Sequence, residues 1–300
     1  MENTFASLPI SEAIIKATEE LGFTQMTEIQ QKAIPVMLAG KDLIAKAPTG
    51  TGKTCAFGIP VIEHIDPDLP QIQAIVLAPT RELATQICDD IRNLTRFLPQ
   101  IKTVVVYGGQ SMERQKQQLR KNPQILIATP GRLLDLMQHR ALSLQAVSTA
   151  VLDEADKMLD MGFYKDVRKI LDSLKGLKQM CMFSATISRE VMDIGWLYQR
   201  DPEEITVLPV QDSEPKIDQY SIQCIGREKI EIILRPPEDG RPLLHPQGTR
   251  LPPGHGFLQH QVHHRHGRRA AARPRAKHRL PARRYAPVRA KQNHGAVQSR

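Results

Sequence analysis

Asp42-Leu43-Ile44-Ala45-Lys46 leads directly into Ala47-Pro48-Thr49-Gly50-Thr51-Gly52-Lys53-Thr54. A short apolar run ends in a glycine-rich loop, and the loop ends in Lys-Thr. Gly50 and Gly52 carry no Cβ, so backbone N–H groups there can converge on phosphate oxygens. Thr54 opens a stretch, Cys55 to Ile65, that reads as a helix, and a helix N-terminus favours an anion. The whole fits the P-loop pattern GxxxxGK(S/T), with Ala47 in place of the leading glycine. On that reading Thr49, Gly50, Thr51, Gly52 and Lys53 bind phosphate, and the Thr54 hydroxyl ligates Mg²⁺. The alternative is a glycine-rich turn with a chance Lys-Thr. The strand before it and the helix after it argue against that.

The surrounding pattern alternates strand and helix through about residue 210. Short apolar runs recur at Ala74–Leu77, Thr103–Val106, Ile125–Ile127, Ala150–Leu152 and Met180–Phe183. Runs this short and this apolar fit strands buried on both faces of a parallel sheet. Ser11 to Leu21, Glu28 to Leu38 and Glu82 to Phe97 read as helices by their apolar spacing. The pattern predicts an α/β domain, a mostly parallel sheet with helices on both faces, and ligands at the carboxyl ends of its strands. One of those ends carries Asp153-Glu154-Ala155-Asp156, one hundred residues after Lys53. An acidic pair there suits Mg²⁺, which prefers carboxylates, waters and phosphate oxygens. Asp153 is expected to hold the metal and Glu154 to orient or activate a water, with Lys53, Asp153 and Glu154 as the catalytic set. Alone, the same residues would also suit a solvated helix start.

Asp153-Glu154-Ala155-Asp156 is the signature of the DEAD-box RNA helicases, and the chain resembles that family in further segments. Gly22-Phe23-Thr24-Gln25-Met26-Thr27-Glu28-Ile29-Gln30 is similar to its Q motif, with Phe5 as the upstream aromatic; Met26 and Glu28 stand where prolines are common. Pro79-Thr80-Arg81-Glu82-Leu83, Gly108-Gly109, Thr129-Pro130-Gly131-Arg132-Leu133 and Ser184-Ala185-Thr186 match motifs Ia, GG, Ib and III. The resemblance covers residues 5 to about 230. It implies a RecA-like P-loop NTPase domain that binds ATP and Mg²⁺ and contacts RNA, mainly through its backbone. Adenine recognition falls to Phe5 and Gln30. A glutamine amide donates and accepts at once, and an aromatic face stacks on a base; Phe5 is alternatively a core residue near the chain start. Arg81, Gly108, Gly109, Thr129 and Arg132 are the expected RNA contacts, arginine suiting bidentate phosphate binding and glycine a close backbone approach. Asp156, Ser184 and Thr186 are expected to couple nucleotide state to strand separation. The rival readings are a catalytically inactive ATP- or RNA-binding fragment and another P-loop ATPase, such as a DNA helicase.

The net charge of +9 is unevenly placed. Residues 235–300 hold 15 Lys+Arg and 2 Asp+Glu, leaving residues 1–234 with a net charge of −4. The basic balance therefore says nothing about how the folded part meets its partner. Cys55, Cys88, Cys181 and Cys224 lack CxxC spacing and read as buried thiols of a reducing compartment. No signal-peptide pattern or membrane-length apolar run is visible, so a cytoplasmic protein is expected. The organisation we read is residues 1–40 as helices carrying the Q motif, 41–210 as the RecA-like ATP-binding domain, 211–234 as a linker towards a second such domain, and 235–300 as a disordered tail rich in Arg, Pro and His. The tail shows no ARGxD or HRxGRxGR segment of a second helicase domain. Zinc binding at its histidines and a basic RNA-tethering arm are two readings of it. We favour a third, out-of-frame translation. Ala282-Arg283-Arg284-Tyr285-Ala286-Pro287 permits, one base on, codons for His-Gly-Asp-Met-Arg-Gln, a second-domain segment of the family.

Overall fold

The computed structural model describes residues 3–208. The linker and tail expected at 211–234 and 235–300 lie outside the described residues. Seven strands form one sheet: β1 (Leu43–Lys46), β2 (Ala74–Leu77), β3 (Thr103–Val106), β4 (Ile125–Ala128), β5 (Thr149–Asp153), β6 (Gln179–Ser184) and β7 (Glu203–Thr206). Their order is β3-β4-β2-β5-β6-β1-β7, and every pairing is parallel. Between and before them lie α1 (Glu12–Glu20), α2 (Glu28–Leu38), α3 (Lys53–Glu63), α4 (Arg81–Leu94), α5 (Met112–Leu119), α6 (Pro130–Gln138), α7 (Ala155–Met158), α8 (Tyr164–Ser173) and α9 (Arg189–Tyr198).

Side chains alternate across a strand, so each strand feeds two cores. Ala74 and Val76 of β2 join Leu43, Ala45, Val151, Cys181 and Phe183 on one face. Ile75 and Leu77 join Ile44, Leu152, Met180 and Met182 on the other. Helices α1 to α4 cover the first face, through residues such as Ile14, Ile29, Phe57 and Ile87. Leu133, Met158, Val167 and Ile194, from α6 to α9, cover the second. Burial on both faces is why the strands read as continuous apolar runs. The edge strand β7, Glu203-Glu204-Ile205-Thr206, is mostly exposed and has no such run.

Two residues of the N-terminal segment expected to read the base, Phe5 and Gln30, are buried. Phe5 was the aromatic assigned to a base, but it is 3% exposed and packs with Ile14, Met26 and Ile29 in the first core. A phenyl ring with both faces in van der Waals contact has none to offer a ligand. This placement agrees with its alternative reading as a core residue. Gln30, assigned to the base edge, is 5% exposed and turned into the protein. Its Oε1 accepts from the Thr27 N–H at 2.9 Å, capping α2, and its Nε2 donates to the Gly52 carbonyl at 3.1 Å. The amide satisfies two backbone groups that burial would otherwise orphan.

Candidate active site

Apart from the Q-motif segment, Gly22 to Gln30, which precedes β1, each expected motif lies at or just beyond the carboxyl end of a strand, and the strand order sorts these motifs into two groups. The P-loop follows β1, the acidic segment ends β5, and Ser184 ends β6; these strands are neighbours. Arg81 follows β2, Gly108 follows β3, and Thr129 follows β4; these are neighbours too. The seam between the groups is the β2–β5 pairing.

In the first group, a cleft of about 400 Å³ is lined by Thr49, Gly50, Gly52, Lys53, Thr54, Asp153 and Glu154. Leu21, Phe23 and the α4 residues Gln86 and Asp90 complete its wall. Its size falls within the range of small-molecule sites. Gly50 and Gly52 have φ of +81° and +88°, a region costly for side-chain-bearing residues, which explains glycine at both places. Gly52 is the N-cap of α3, so the first-turn N–H groups of that helix open beside the loop. Lys53 is buried, and its Nζ donates to the Ala47 carbonyl at 3.3 Å.

Asp153 is 3% exposed at the end of β5. Burial pushes its carboxyl up to about 6, against the pull of the Lys53 ammonium and of the Glu154 N–H, which donates to it at 3.0 Å. Glu154 adopts left-handed backbone geometry, φ 48°, rare for a residue with a side chain and found most often at functional sites. Its carboxylate pairs with the Lys157 ammonium at 3.0 Å. On α4, Asp90 faces the same cleft. Burial raises its carboxyl, and the nearby Thr54 hydroxyl opposes the rise.

Asp156, Ser184 and Thr186 are in direct contact. Asp156 Oδ2 accepts from the Thr186 N–H at 2.8 Å and from its hydroxyl at 2.6 Å. The Asp156 N–H donates to Ser184 Oγ at 3.1 Å. For the Asp156 carboxyl, burial is the largest influence and pushes upward. Hydrogen bonds from Thr186 and Ser184 outweigh it, holding the group below its ordinary value. The Ser184 carbonyl in turn accepts from the Ala47 N–H at 2.9 Å. A continuous chain of bonds thus runs from the P-loop through Ser184 and Asp156 to Thr186.

In the second group, Arg81 is exposed at the start of α4, with its guanidinium 5.0 Å from the centre of the Tyr107 ring. Gly108 and Gly109 are exposed, Gly109 with φ +84°. Thr129 is the N-cap of α6. Arg132, an expected RNA contact, has a side chain only 12% exposed. Its Nη1 donates to the Gln110 carbonyl at 3.0 Å and to Gln115 Oε1 at 2.8 Å. Its α6 position turns it inward under the Tyr107–Gln110 turn. Two residues escaped the sequence reading. Phe23 is 40% exposed and lines the cleft where Phe5 was expected. A large aromatic beside Gly22, whose φ is +76°, was the available signal. Gln115, fully buried on α5, gave none.

A parallel sheet carrying a P-loop at one strand end and an acidic pair at another defines a RecA-like P-loop nucleotide-binding domain. The family model for DEAD/DEAH box helicases matches residues 27–194. The chain is 42% identical over 235 residues to a DEAD-box ATP-dependent RNA helicase, CshA, of Bacillus licheniformis, covering 78% of this chain and 48% of that one. It is 41% identical to the ATP-dependent RNA helicase CshA of Limosilactobacillus reuteri, over 77% of this chain and 46% of the other. A DEAD box protein from Methanococcus jannaschii superposes with a TM-score of 0.64 at 40% identity, covering 68% of this chain and 55% of that chain. A hypothetical ATP-dependent RNA helicase from Sulfolobus tokodaii gives 0.61 at 38%, over 66% and 57%. The chain belongs to the DEAD/DEAH box helicase family. It spans about half the length of the curated relatives it matches.

Proposed function

We propose that residues 3–208 form the ATP-binding and RNA-contacting first domain of an ATP-dependent RNA helicase that separates RNA duplexes locally. The observation that carries this is the cleft in which the P-loop glycines, buried Lys53 and buried Asp153 meet. That donor set fits a metal-bound triphosphate: N–H groups and an ammonium for the anion, a hydroxyl and a carboxylate for Mg²⁺. ATP with Mg²⁺ supplies the hydrolysable bond and the free energy for domain closure.

The chain's own residues divide the remaining work. Gly50 to Lys53 bind the phosphates, and Lys53 exchanges its bond to the Ala47 carbonyl for one to a phosphate oxygen. Thr54, by its hydroxyl, and Asp153, as its carboxylate, would hold the metal. Phe23 stacks on the adenine. Gln30 braces the P-loop, and its amide keeps a second N–H and a second lone pair for the adenine edge. Glu154 orients the water. Asp156, Ser184 and Thr186 link this cleft to the segment after β6. Arg81, Gly108, Gly109 and Thr129 contact the sugar-phosphate backbone, so sequence preference should be weak. The free, buried cysteines Cys55, Cys88 and Cys181 suit the reducing cytoplasm. Among the described residues no helix is long and apolar enough to cross a membrane.

The test is binding of a fluorescent ATP analogue to the 300-residue chain, with and without Mg²⁺, followed by ATP turnover with added RNA or DNA. Saturable Mg²⁺-dependent binding that Lys53→Ala abolishes supports the nucleotide reading. Stimulation by DNA but not RNA overturns the RNA assignment. Binding without turnover is the outcome for a fragment that needs a second domain to hydrolyse ATP.

A further inference from the structure

Gln115 belongs to none of the family segments named above, yet it is fully buried on a helix whose other residues are mostly polar and at least partly exposed. Its side-chain amide is used at both ends. Nε2 donates to the Tyr107 carbonyl and to Gln110 Oε1, each at 2.9 Å. Oε1 accepts from Arg132 Nη1 at 2.8 Å, and the same Nη1 reaches the Gln110 carbonyl at 3.0 Å. Tyr107 and Gln110 are the two residues that flank Gly108 and Gly109. Both ends of this glycine turn are therefore tied down from beneath, while the glycines themselves stay exposed.

A glycine pair alone makes a poor binding surface. It reaches many conformations, and binding must remove that freedom. A buried network that ties both ends of the turn removes it in advance. We propose that Gln115 is a positioning residue for RNA, acting through the turn it holds. It locks Tyr107–Gln110 in one shape, so that the Gly108–Gly109 backbone is presented ready-made to a sugar-phosphate strand. Arg132 serves from the same buried side, and Arg81 packs on the Tyr107 ring at the other edge. This rests on the RNA reading given above.

The test uses the 300-residue chain and two near-isosteric variants. Gln115→Met removes all three hydrogen bonds. Gln115→Glu keeps an acceptor for Arg132 but cannot donate to the Tyr107 carbonyl, and it decides the question by the same readouts if Gln115→Met does not fold. Hydrogen exchange reports the backbone amides of Gly108 to Ser111. Anisotropy of a labelled single-stranded oligouridine reports RNA affinity, any contribution from the basic tail being common to all three proteins. A fluorescent ATP analogue reports the nucleotide cleft. We expect faster exchange confined to the turn, RNA affinity weaker by about fivefold or more, as loss of roughly one net hydrogen bond implies, and unchanged nucleotide affinity. A loosened turn with wild-type RNA affinity overturns the positioning role, as does a turn whose exchange does not change. A wild-type chain that binds no oligouridine overturns the underlying RNA reading instead.

Discussion

Replacing Gly52 by alanine tests the contact between the segment before β1 and the P-loop. A Cβ built on Gly52 lies 2.5 Å from Gln30 Nε2 and 3.3 Å from Thr27 Oγ1. Left-handed geometry at φ +88° adds backbone strain of roughly 1–2 kcal/mol for a residue with a side chain. Gln30 is pushed aside and its bond to the Gly52 carbonyl breaks, at a net cost of about 1 kcal/mol. Gly52→Ala should therefore destabilise the domain by roughly 2–3 kcal/mol. Gln30→Ala alone loses that bond and the capping bond to Thr27, costing about 2 kcal/mol. In the double variant the strain remains but the clash and the bond are gone, so the two changes should cost about 1 kcal/mol less than their sum. Urea unfolding followed by circular dichroism measures all three variants, provided the denaturant slope stays constant. Equal costs for Gly52→Ala in the two backgrounds, within about 0.3 kcal/mol, would show that Gln30 does not brace the P-loop.

Further outcomes follow from neighbouring residues. Phe23→Ala should weaken binding of a fluorescent ATP analogue with little loss of stability. Phe5→Ala should destabilise by about 3–5 kcal/mol as a core truncation, and the reverse ranking would restore Phe5 as the base contact. Asp153 and Asp156 should show opposite pH linkage. The folded-state value of Asp153 is raised to about 6, so its contribution is favourable at low pH and is lost as pH rises through about 6; Asp153→Asn should be the more stable protein above that pH and lose metal-dependent binding. Asp156 is depressed, so it stabilises at neutral pH and ceases to do so as pH falls through its folded value. Parallel stability–pH curves for Asp153→Asn and wild type would refute the first assignment. Arg81→Ala should weaken RNA binding evenly across sequences and reduce the salt slope by about one. Arg132→Ala should lower the melting temperature and, by loosening the Tyr107–Gln110 turn, weaken RNA binding; lost RNA binding with an unchanged melting temperature and unchanged exchange at Gly108 to Ser111 would make Arg132 a direct ligand.

The sheet was legible because burial on both faces writes itself as uninterrupted apolar runs. Ala74–Leu77 and Thr103–Val106 coincide with β2 and β3 for that reason. β7 was not legible, since an exposed edge strand needs no such run. The motifs located the strand ends well, but they could not say which way a side chain turns. Phe5 and Phe23 are both aromatics near the N-terminus, and only packing decides that the first is core and the second lines the cleft. Gln30 and Arg132 both hydrogen-bond inward, to groups brought near only by folding. Gln115 sits among Glu, Arg, Lys and Gln on α5, and that composition does not mark it as buried. Its burial depends on a turn and on a helix supplied by other parts of the chain.

The strand order also bears on how the molecule is made. β1, which carries the P-loop, pairs only with β6 and β7, the last two strands of the domain to leave the ribosome. About 140 residues separate Lys46 from its first partner, Ser184, roughly seven to thirty seconds of synthesis. Through that interval the apolar backbone of β1 has no lateral partner. β2, β4 and β5 can already pair with one another. The nucleotide cleft is thus the last part of the sheet to close. During translation the strand behind it is the segment most exposed to chaperones and to misplaced edge pairing.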